Sequence, residues 1–547
     1  MIKDEIAILL KEAAFEAQRR ELLPPVTMPE IVLERPQNPE HGDYAATLPL
    51  KLARAARMNP MTIANNLVSL IQIPEEIDRV TVAPPGFINF SLKSDWLTRQ
   101  IGDIISAGEQ YGDVDLGKGA KVQVEFVSVN PTGPLHVGHG RGAILGSTLA
   151  NVLASSGYEV VREYYINDAG GQMDAFYRSL YARYQQALGI DAEMPSEGYF
   201  GDYMMEIARE ITAEEGNRLL DSPAELGRIG VAKIMKAIKS DLEALGVSFD
   251  VWFSESSLFE QGQYDRVMVF LRERGCIIEK EGAVWFTSTA LGEDKDNVLV
   301  RSDGSPTYFA TDIAYHYNKF VERGFSKVIN IWGADHQGHV SRMKAVISAL
   351  GIDPERLQII ISQMVTLKRG ETALRASKRS GELIILRELV DEVGPDVCRF
   401  FFLSHSADSQ MDFDLELAKR RSADNPVYYI QYAHARVTSI LRLAQERGID
   451  YKEGNVALLT SEPELSLIRK MLQLPEVLEL VVSSLEPHHL PYYALDLATI
   501  FHNFYEKCRV ISADEALTSA RLKLVRAGQI VLAKTLHLMG MTAPEKM

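Results

Sequence analysis

One stretch constrains the fold more than any other. Residues 121–129, KVQVEFVSV, read as a strand, residues 143–156 as a helix ended by Gly157, and residues 158–168, YEVVREYYIND, as a second strand. Two strands flanking a helix with short connections make a βαβ unit, which implies a parallel sheet. The junction between the first strand and the helix is NPTGPLHVGHGRG, residues 130–142, with His136 and His139 standing around Gly138. Such junctions lie at the carboxyl ends of parallel strands, where α/β folds bind ligands. The helix that follows offers free N–H groups and a partial positive charge, which favour phosphate.

The rest of the chain is organised around that unit. At 547 residues it is too long for one core, and about 150 residues per domain gives three or four domains. Residues 1–110 read as a helix, a polar loop (RPQNPEHGDYA, 35–45) entering a helix, and a strand–turn–strand, VTVAPPGFINFSL. The glycine-rich stretch 108–120 is a linker candidate. Residues 111–385 hold the βαβ unit, a charged helical insertion near 175–245, and later buried strands at 327–336 and 357–365. From about 385 the pattern is almost entirely helical, so 386–547 form a third region. Asn167 and Asp168 mark a turn at a strand end.

Composition narrows the classes. Hydrophobic residues are 46% and charged residues 24%, ordinary for a globular chain, and no uncharged apolar run is long enough to span a membrane. The N-terminal segment carries Lys11, Glu12 and Glu16 within its apolar spacing, which fits an amphipathic helix and not a signal peptide. A net charge of -16 argues against generic nucleic-acid affinity while leaving room for a local basic face. Three scattered cysteines fit a reducing compartment, and with no spanning segment we expect a cytoplasmic protein without membrane contact; a monomer is our separate expectation, which the sequence does not decide.

The chemistry of the HxGH stretch follows from its place. His136 and His139 can donate hydrogen bonds to charge developing on phosphate oxygens, and Gly138 lets a planar base approach the backbone. This suits attack on an α-phosphate with pyrophosphate leaving. Half of a zinc site and a plain surface loop are the alternatives for HxxH alone. HVGH is similar to the HIGH signature of class I aminoacyl-tRNA synthetases, which other nucleotidylyl-transferring folds share. LRASKRSGEL, residues 374–383, resembles the KMSKS loop, with Ser377 and Lys378 matching and Arg375, Ala376 and Arg379 departing from it.

Longer stretches resemble arginyl-tRNA synthetases of bacterial type across nearly the whole chain. They are RPQNPEHGDYA near the N-terminus, YYINDAGGQ (164–172), GYFGDY (198–203), YFATDIAYH (308–316), GADHQGHVSRM (333–343), DNPVYYIQYAHAR (424–436) and FHNFYEKCRV (501–510). The resemblance implies an α/β Rossmann-type catalytic domain, an N-terminal α+β domain and a C-terminal all-α helical bundle. It implies ATP-dependent ligation of L-arginine to tRNA(Arg) through an arginyl-adenylate, with activation needing bound tRNA. His136, His139 and Lys378 would be catalytic. Pro134, Gly138, His139, Gly333, Asp335, His336, Ser377 and Lys378 would hold ATP. Glu125, Asn130, His136, Tyr308, Asp312 and Gln337 would hold arginine. Asn38, Asp43, Tyr44, Tyr428, Tyr432 and Arg436 would meet tRNA.

A guanidinium is planar and permanently charged, so its pocket needs carboxylates, and Asp312 with Glu125 are the candidates. The same two groups would equally serve a structural salt bridge or a helix cap. Tyr428, Tyr432 and their neighbours fit stacked RNA bases, and fit a helix core as well. The cysteines make no zinc-ribbon pairs, so the expected metal is Mg²⁺ carried with ATP and no zinc. Two rival readings remain at this level: a nucleotidylyltransferase that does not use tRNA, and a non-catalytic RNA-binding relative.

Overall fold

The computed structural model describes every residue except 37, 371 and 375–383, and at 39 and 372–374 it describes the backbone alone. The chain divides into two compact units. One comprises residues 1–108, 437–473 and 499–530; the other comprises 109–436, 474–498 and 531–547.

The first unit opens with the amphipathic helix Ile2–Arg19, whose Ile6, Leu10, Ala13, Ala14 and Ala17 are buried at helical spacing. A four-stranded antiparallel sheet follows, built from Leu33–Glu34, Tyr44–Ala46, Ile77–Ala83 and Phe87–Leu92, with the second and fourth strands at its centre. The last two strands are the expected strand–turn–strand.

The second unit is built on a five-stranded parallel sheet. In chain order its labelled elements are β1 (Lys121–Glu125), α1 (Val137–Ser155), β2 (Glu159–Ile166), β3 (Val251–Ser254), α2 (Tyr308–Tyr317), β4 (Lys327–Gly333) and β5 (Leu357–Ser362). The spatial order is β5–β4–β1–β2–β3, and every pairing is parallel. The order reverses direction between β1 and β4. The crevice beyond the carboxyl ends of two such strands is where open α/β sheets bind ligands.

Several elements differ from the sequence reading. The first strand stops at Glu125, because Val127 and Ser128 adopt left-handed backbone, at φ 69 and 44. A β-branched residue there is an outlier. Side chains replace the lost ladder: the Tyr164 hydroxyl donates to the Val129 carbonyl (3.0 Å), and the Tyr165 N–H donates to Ser128 Oγ (3.1 Å). The helix begins at Val137, so the HxGH residues form its first turn. A three-stranded antiparallel sheet, Ile277–Lys280, Ala283–Phe286 and Asn297–Val300, precedes α2 and was not expected. Met411–Asp414, within the region read as helical, pairs in parallel with Val365–Arg369. The sheet-bearing unit therefore runs past residue 385, to Arg436. The insertion is helical as expected: Gly171–Ala187, Asp202–Glu215 and Pro223–Ala244. None of the described helices is long and apolar enough to cross a membrane.

Small residues seat α1 on the sheet. A Cβ on Gly146 would stand 2.2 Å from Cγ of the buried Phe126, whereas a Cβ on Gly142 would meet nothing nearer than Ile331 Cγ2 at 4.0 Å. The two glycines should therefore respond oppositely to alanine. Gly146→Ala forces helix and strand apart and should cost about 1–3 kcal/mol. Gly142→Ala adds helix propensity without a clash and should stabilise by about 0.5–1 kcal/mol. Paired thermal melts check the sign of each. A Gly146→Ala protein as stable as the parent would mean that α1 is free to shift.

Candidate active site

The site begins with a row of polar side chains across the parallel sheet. Register places Asn330 of β4 opposite Glu125 of β1, and Glu125 opposite Glu163 of β2. Three polar residues in one buried row are costly unless each is paired. The chain pairs them from the segment after α2, where the turns Asn318–Glu322 open into a wider π-helix. Lys319, fully buried, donates to Glu125 Oε2 at 2.5 Å and to Asn330 Oδ1 at 3.1 Å. Arg323 grips both oxygens of the fully buried Glu163, at 2.5 and 2.7 Å, and the Tyr315 hydroxyl donates to it at 2.6 Å. Burial would raise the Glu163 carboxyl, but Arg323 beside it holds it below the usual range.

His316 completes the row and fixes its own tautomer. Nδ1 lies 2.8 Å from the Asp312 carbonyl, which can only accept, so Nδ1 carries the proton. Nε2 then accepts from Asn330 Nδ2 at 3.0 Å. Burial, with Lys319 nearby, pushes the imidazole well below its ordinary pKa and keeps it neutral.

Two carboxylates are left without a cation. Neither Asp312 nor Glu255 forms an ion pair among the described residues. Burial, then the neighbouring Glu125 and Glu255, push Asp312 well above the carboxylate range, while Lys319 and Arg342 pull it back. Glu255, only 5% exposed, is pushed up to about 7, mainly by burial. Tyr308, the first residue of α2, stands one turn from Asp312 with its ring half exposed; Asp312 beside it and burial raise its hydroxyl. Glu255 was missed in the sequence because nothing in SESSLFE marks it. Its one signal is position, just past the carboxyl end of β3.

Glu125 already shares its Oε2 with Lys319. It acts on the pocket through its charge, which raises Asp312. Asn130 lies just beyond β1, hydrogen-bonded through Nδ2 to Gln172 Oε1. Asp168 is part of a structural turn, accepting from Ser254 Oγ (2.5 Å) and the Ser256 N–H (2.9 Å).

On the other side of the crevice, His136 caps α1 and its N–H donates to His139 Nδ1 at 3.2 Å. The two rings stack with centroids 3.4 Å apart. A Cβ on Gly138 would lie 3.1 Å from the His136 ring, so the glycine also makes room for that imidazole. Pro134 is in the loop before α1. Gly333 ends β4, and Asp335, His336 and Gln337 follow it directly; all four are half-buried or exposed at the strand next to β1. Beyond the undescribed segment, Ile385 bridges His136 and the Leu386 N–H donates to the Leu135 carbonyl at 2.8 Å. Ser377 and Lys378 lie outside the described residues.

The residues expected to meet tRNA divide. Tyr428, Tyr432 and Arg436 share one face of the helix Pro426–Glu446; the tyrosine rings are parallel within 12°, and the Arg436 guanidinium lies 4.6 Å from the Tyr432 ring. Asn38 is exposed, its Oδ1 accepting from the Glu40 N–H at 3.0 Å. Asp43 and Tyr44 are buried, which corrects them as direct RNA contacts. Asp43 accepts from the Leu92 N–H (2.7 Å) and from Arg469 (2.8 Å), and Arg35 covers the Tyr44 ring and donates to its hydroxyl. They build the base of the Asn38 loop.

Comparison with known proteins shows the family. Residues 100–399 match the family described as tRNA synthetases class I (R), catalytic domain. Residues 1–92 match the arginyl tRNA synthetase N terminal domain, and 430–547 the DALR anticodon binding domain. An arginine–tRNA ligase of Dehalococcoides mccartyi is 57% identical over 100% of this chain and 99% of its own length. One from Carboxydothermus hydrogenoformans is 51% identical over 94% of each. The chain belongs to the arginyl-tRNA synthetase family. It is a class I aminoacyl-tRNA synthetase, an ATP-dependent arginine–tRNA ligase. A Thermus thermophilus arginyl-tRNA synthetase, 23% identical, has the same fold over the full length of both chains, with a TM-score of 0.80.

The elevated carboxyls give the synthetase a signed pH dependence. If arginine's cation meets the ionised Glu255 and Asp312, protonation of either carboxyl competes with it. The KM for arginine should rise as pH falls through 7, approaching about tenfold per unit below that value for each proton displaced. Initial rates at pH 6–8 with saturating tRNA and ATP check this. A flat profile would mean that neither carboxyl changes protonation when arginine binds.

Proposed function

We propose that the synthetase works in two steps at the crevice between β1 and β4, with Asp312 and Glu255 reading the guanidinium. The observation that carries this reading is the charge balance: Lys319 and Arg323 neutralise Glu125 and Glu163, and no cation pairs with Asp312 or Glu255 among the described residues. A planar, permanently charged guanidinium can face two carboxylates at once. Tyr308 flanks it, while Asn130 and Gln337, at the ends of β1 and β4, orient the α-amino and carboxylate end.

ATP arrives as its Mg²⁺ complex. Pro134, Gly138, Gly333, Asp335 and His336 frame the nucleotide, and α1 points its N-terminus at the phosphates. An oxygen of the arginine carboxylate attacks the α-phosphorus, the bond to the bridging oxygen breaks, and pyrophosphate leaves with that electron pair. His136 and His139 donate to the phosphate oxygens as charge builds. Ser377 and Lys378 stabilise the leaving pyrophosphate. The terminal ribose hydroxyl of tRNA(Arg) then attacks the adenylate carbonyl and AMP leaves. No enzyme nucleophile enters either step, so the rate rests on orientation and placed charge. Activation depends on bound tRNA, which the Asn38 loop and the Tyr428–Tyr432–Arg436 face hold at two regions. The enzyme acts as a cytoplasmic monomer.

Aminoacylation with arginine or citrulline tests the pocket. Citrulline keeps the shape and replaces the guanidinium with a neutral urea. Asp312→Asn keeps the side chain's size and removes its charge. Loss of one partner of a desolvated ion pair costs about 3–5 kcal/mol, so arginine kcat/KM should fall about 10²–10³-fold or more. Citrulline use should fall far less, shrinking the arginine-to-citrulline ratio by orders of magnitude. An unchanged ratio would show that Asp312 does not read the guanidinium. A separate arm concerns the chemistry: His139→Ala should slow adenylate formation about 10²–10³-fold with little change in the KM for arginine. Normal turnover in that variant would remove His139 from the reaction.

A further inference from the structure

Outside the active site, one turn gathers metal-binding groups. Glu486, Pro487, His488 and His489 lead into the helix His489–Lys507. The turn is tight: the His489 N–H donates to the Glu486 carbonyl (3.4 Å), and the Leu490 N–H to the Pro487 carbonyl (3.1 Å). One ligand atom from each of Glu486, His488 and His489 lies within 4.8 Å of the other two, and among the described residues no other set of three histidine, cysteine or acidic side chains does so.

We propose that Glu486, His488 and His489 form a binding site for a first-row divalent transition metal ion, of the Zn²⁺ or Co²⁺ class. The ligand set is two imidazoles and a carboxylate, the combination that borderline-soft ions of this class prefer. Spacing agrees. Bonds of about 2.1 Å in a tetrahedron set neighbouring ligand atoms about 3.4 Å apart. Glu486 Oε2 and His489 Nε2 stand 3.4 Å apart.

The histidines are prepared for this role. His488 Nδ1 is buried without a hydrogen-bond partner among the described residues, a position that normally demands explanation. A metal, or a water on one, supplies the partner. The rings of His488 and His489 lie 4.3 Å apart and are tilted by 33°. The helix N-terminus opposes a cation with its partial positive charge, and the Glu486 carboxylate offsets this. His405 and Asp408, close enough to affect His488, face the turn from the loop after Leu403. The Tyr492 hydroxyl ties that loop to the helix by donating to the Ser404 carbonyl at 2.7 Å. Glu486 is exposed, so the remaining coordination position is open to water.

The test uses the full-length enzyme, stripped with chelator and titrated with Co²⁺ while visible absorption is followed, then with Zn²⁺ by calorimetry. The wild type should bind at this site with micromolar or tighter affinity and show the absorption of nitrogen- and oxygen-ligated Co²⁺. Its melting temperature should rise with Zn²⁺. Glu486→Gln should weaken binding by at least the roughly 10–100-fold that loss of an outer partner costs. His488→Gln/His489→Gln should lose one equivalent of bound metal and the Zn²⁺-dependent thermal shift. Metal-free melts report whether each variant folds; if the double variant does not, the exposed Glu486→Gln decides. The active-site histidines could also take up metal, so an equivalent that survives the double variant belongs elsewhere. The proposal is overturned if the wild type binds no ion at micromolar concentrations, or if Glu486→Gln and the double variant bind with unchanged affinity and stoichiometry.

Discussion

The site depends on one buried arrangement, Lys319 between Glu125 and Asn330. Glu125 is 7% exposed and Lys319 fully buried, so neither charge can rely on water. Breaking such a pair strands a charge in the interior, which is far more costly than the pair's net worth. The pair therefore acts as a constraint. It fixes the segment after α2 against the carboxyl ends of β1 and β4, and α2 carries Tyr308 and Asp312. Arg323 on Glu163 repeats the device one strand further along. The wider π-turn at Asn318–Glu322 is where a single helical geometry gives way so that Lys319 can reach the row.

Much of this was legible in the sequence, and the reason is local. Residues 121–166 state a βαβ unit through periodicity and Gly157, and the HxGH turn follows from its place in that unit. The paired strands of the N-terminal sheet were also visible, because PPG separates two alternating runs. What stayed hidden depends on contacts between residues far apart in the chain. Glu125 and Lys319 are 194 residues apart and Glu163 and Arg323 are 160 apart, and no periodicity links them. The sequence therefore left Glu125 open as a ligand or a salt bridge, and in the structure its Oε2 is in a salt bridge with Lys319. Met411–Asp414 was missed for the same reason: four residues become a strand only because Val365–Arg369 lies beside them.

Asp43 and Tyr44 show the converse limit. A polar loop with Pro36, Asn38, Pro39 and Gly42 is read correctly as a surface feature, but the sequence does not say which side chains turn inward. Asp43 turns inward because it closes two obligations at once, the Leu92 N–H and the Arg469 guanidinium. Asn38 remains outside because its side chain is used locally, in a turn with the Glu40 N–H. The overall charge of -16 has a similar resolution. On the proposed reading, recognition of RNA needs only a local face, and the helix face of Tyr428, Tyr432 and Arg436 combines stacking surface with one cation.

On the proposed reading, the unpaired carboxylates give the pocket a preference for arginine over other cations. Glu255 and Asp312 repel each other and are poorly solvated, so the empty pocket holds protons that it would not hold in water. A ligand that supplies positive charge to both removes that penalty on binding. Each unit of pKa shift reversed is worth about 1.4 kcal/mol of ligand affinity. Lysine brings the same charge, but as a compact and strongly hydrated ammonium on a narrower head. It can relieve one carboxylate well and the second poorly, and it surrenders more hydration in doing so. A planar guanidinium spreads its charge over several donors in a fixed fork and is more weakly hydrated. Selectivity on this reading comes from two carboxylates that a wide, flat cation can satisfy together, beside a row whose own charges are already neutralised.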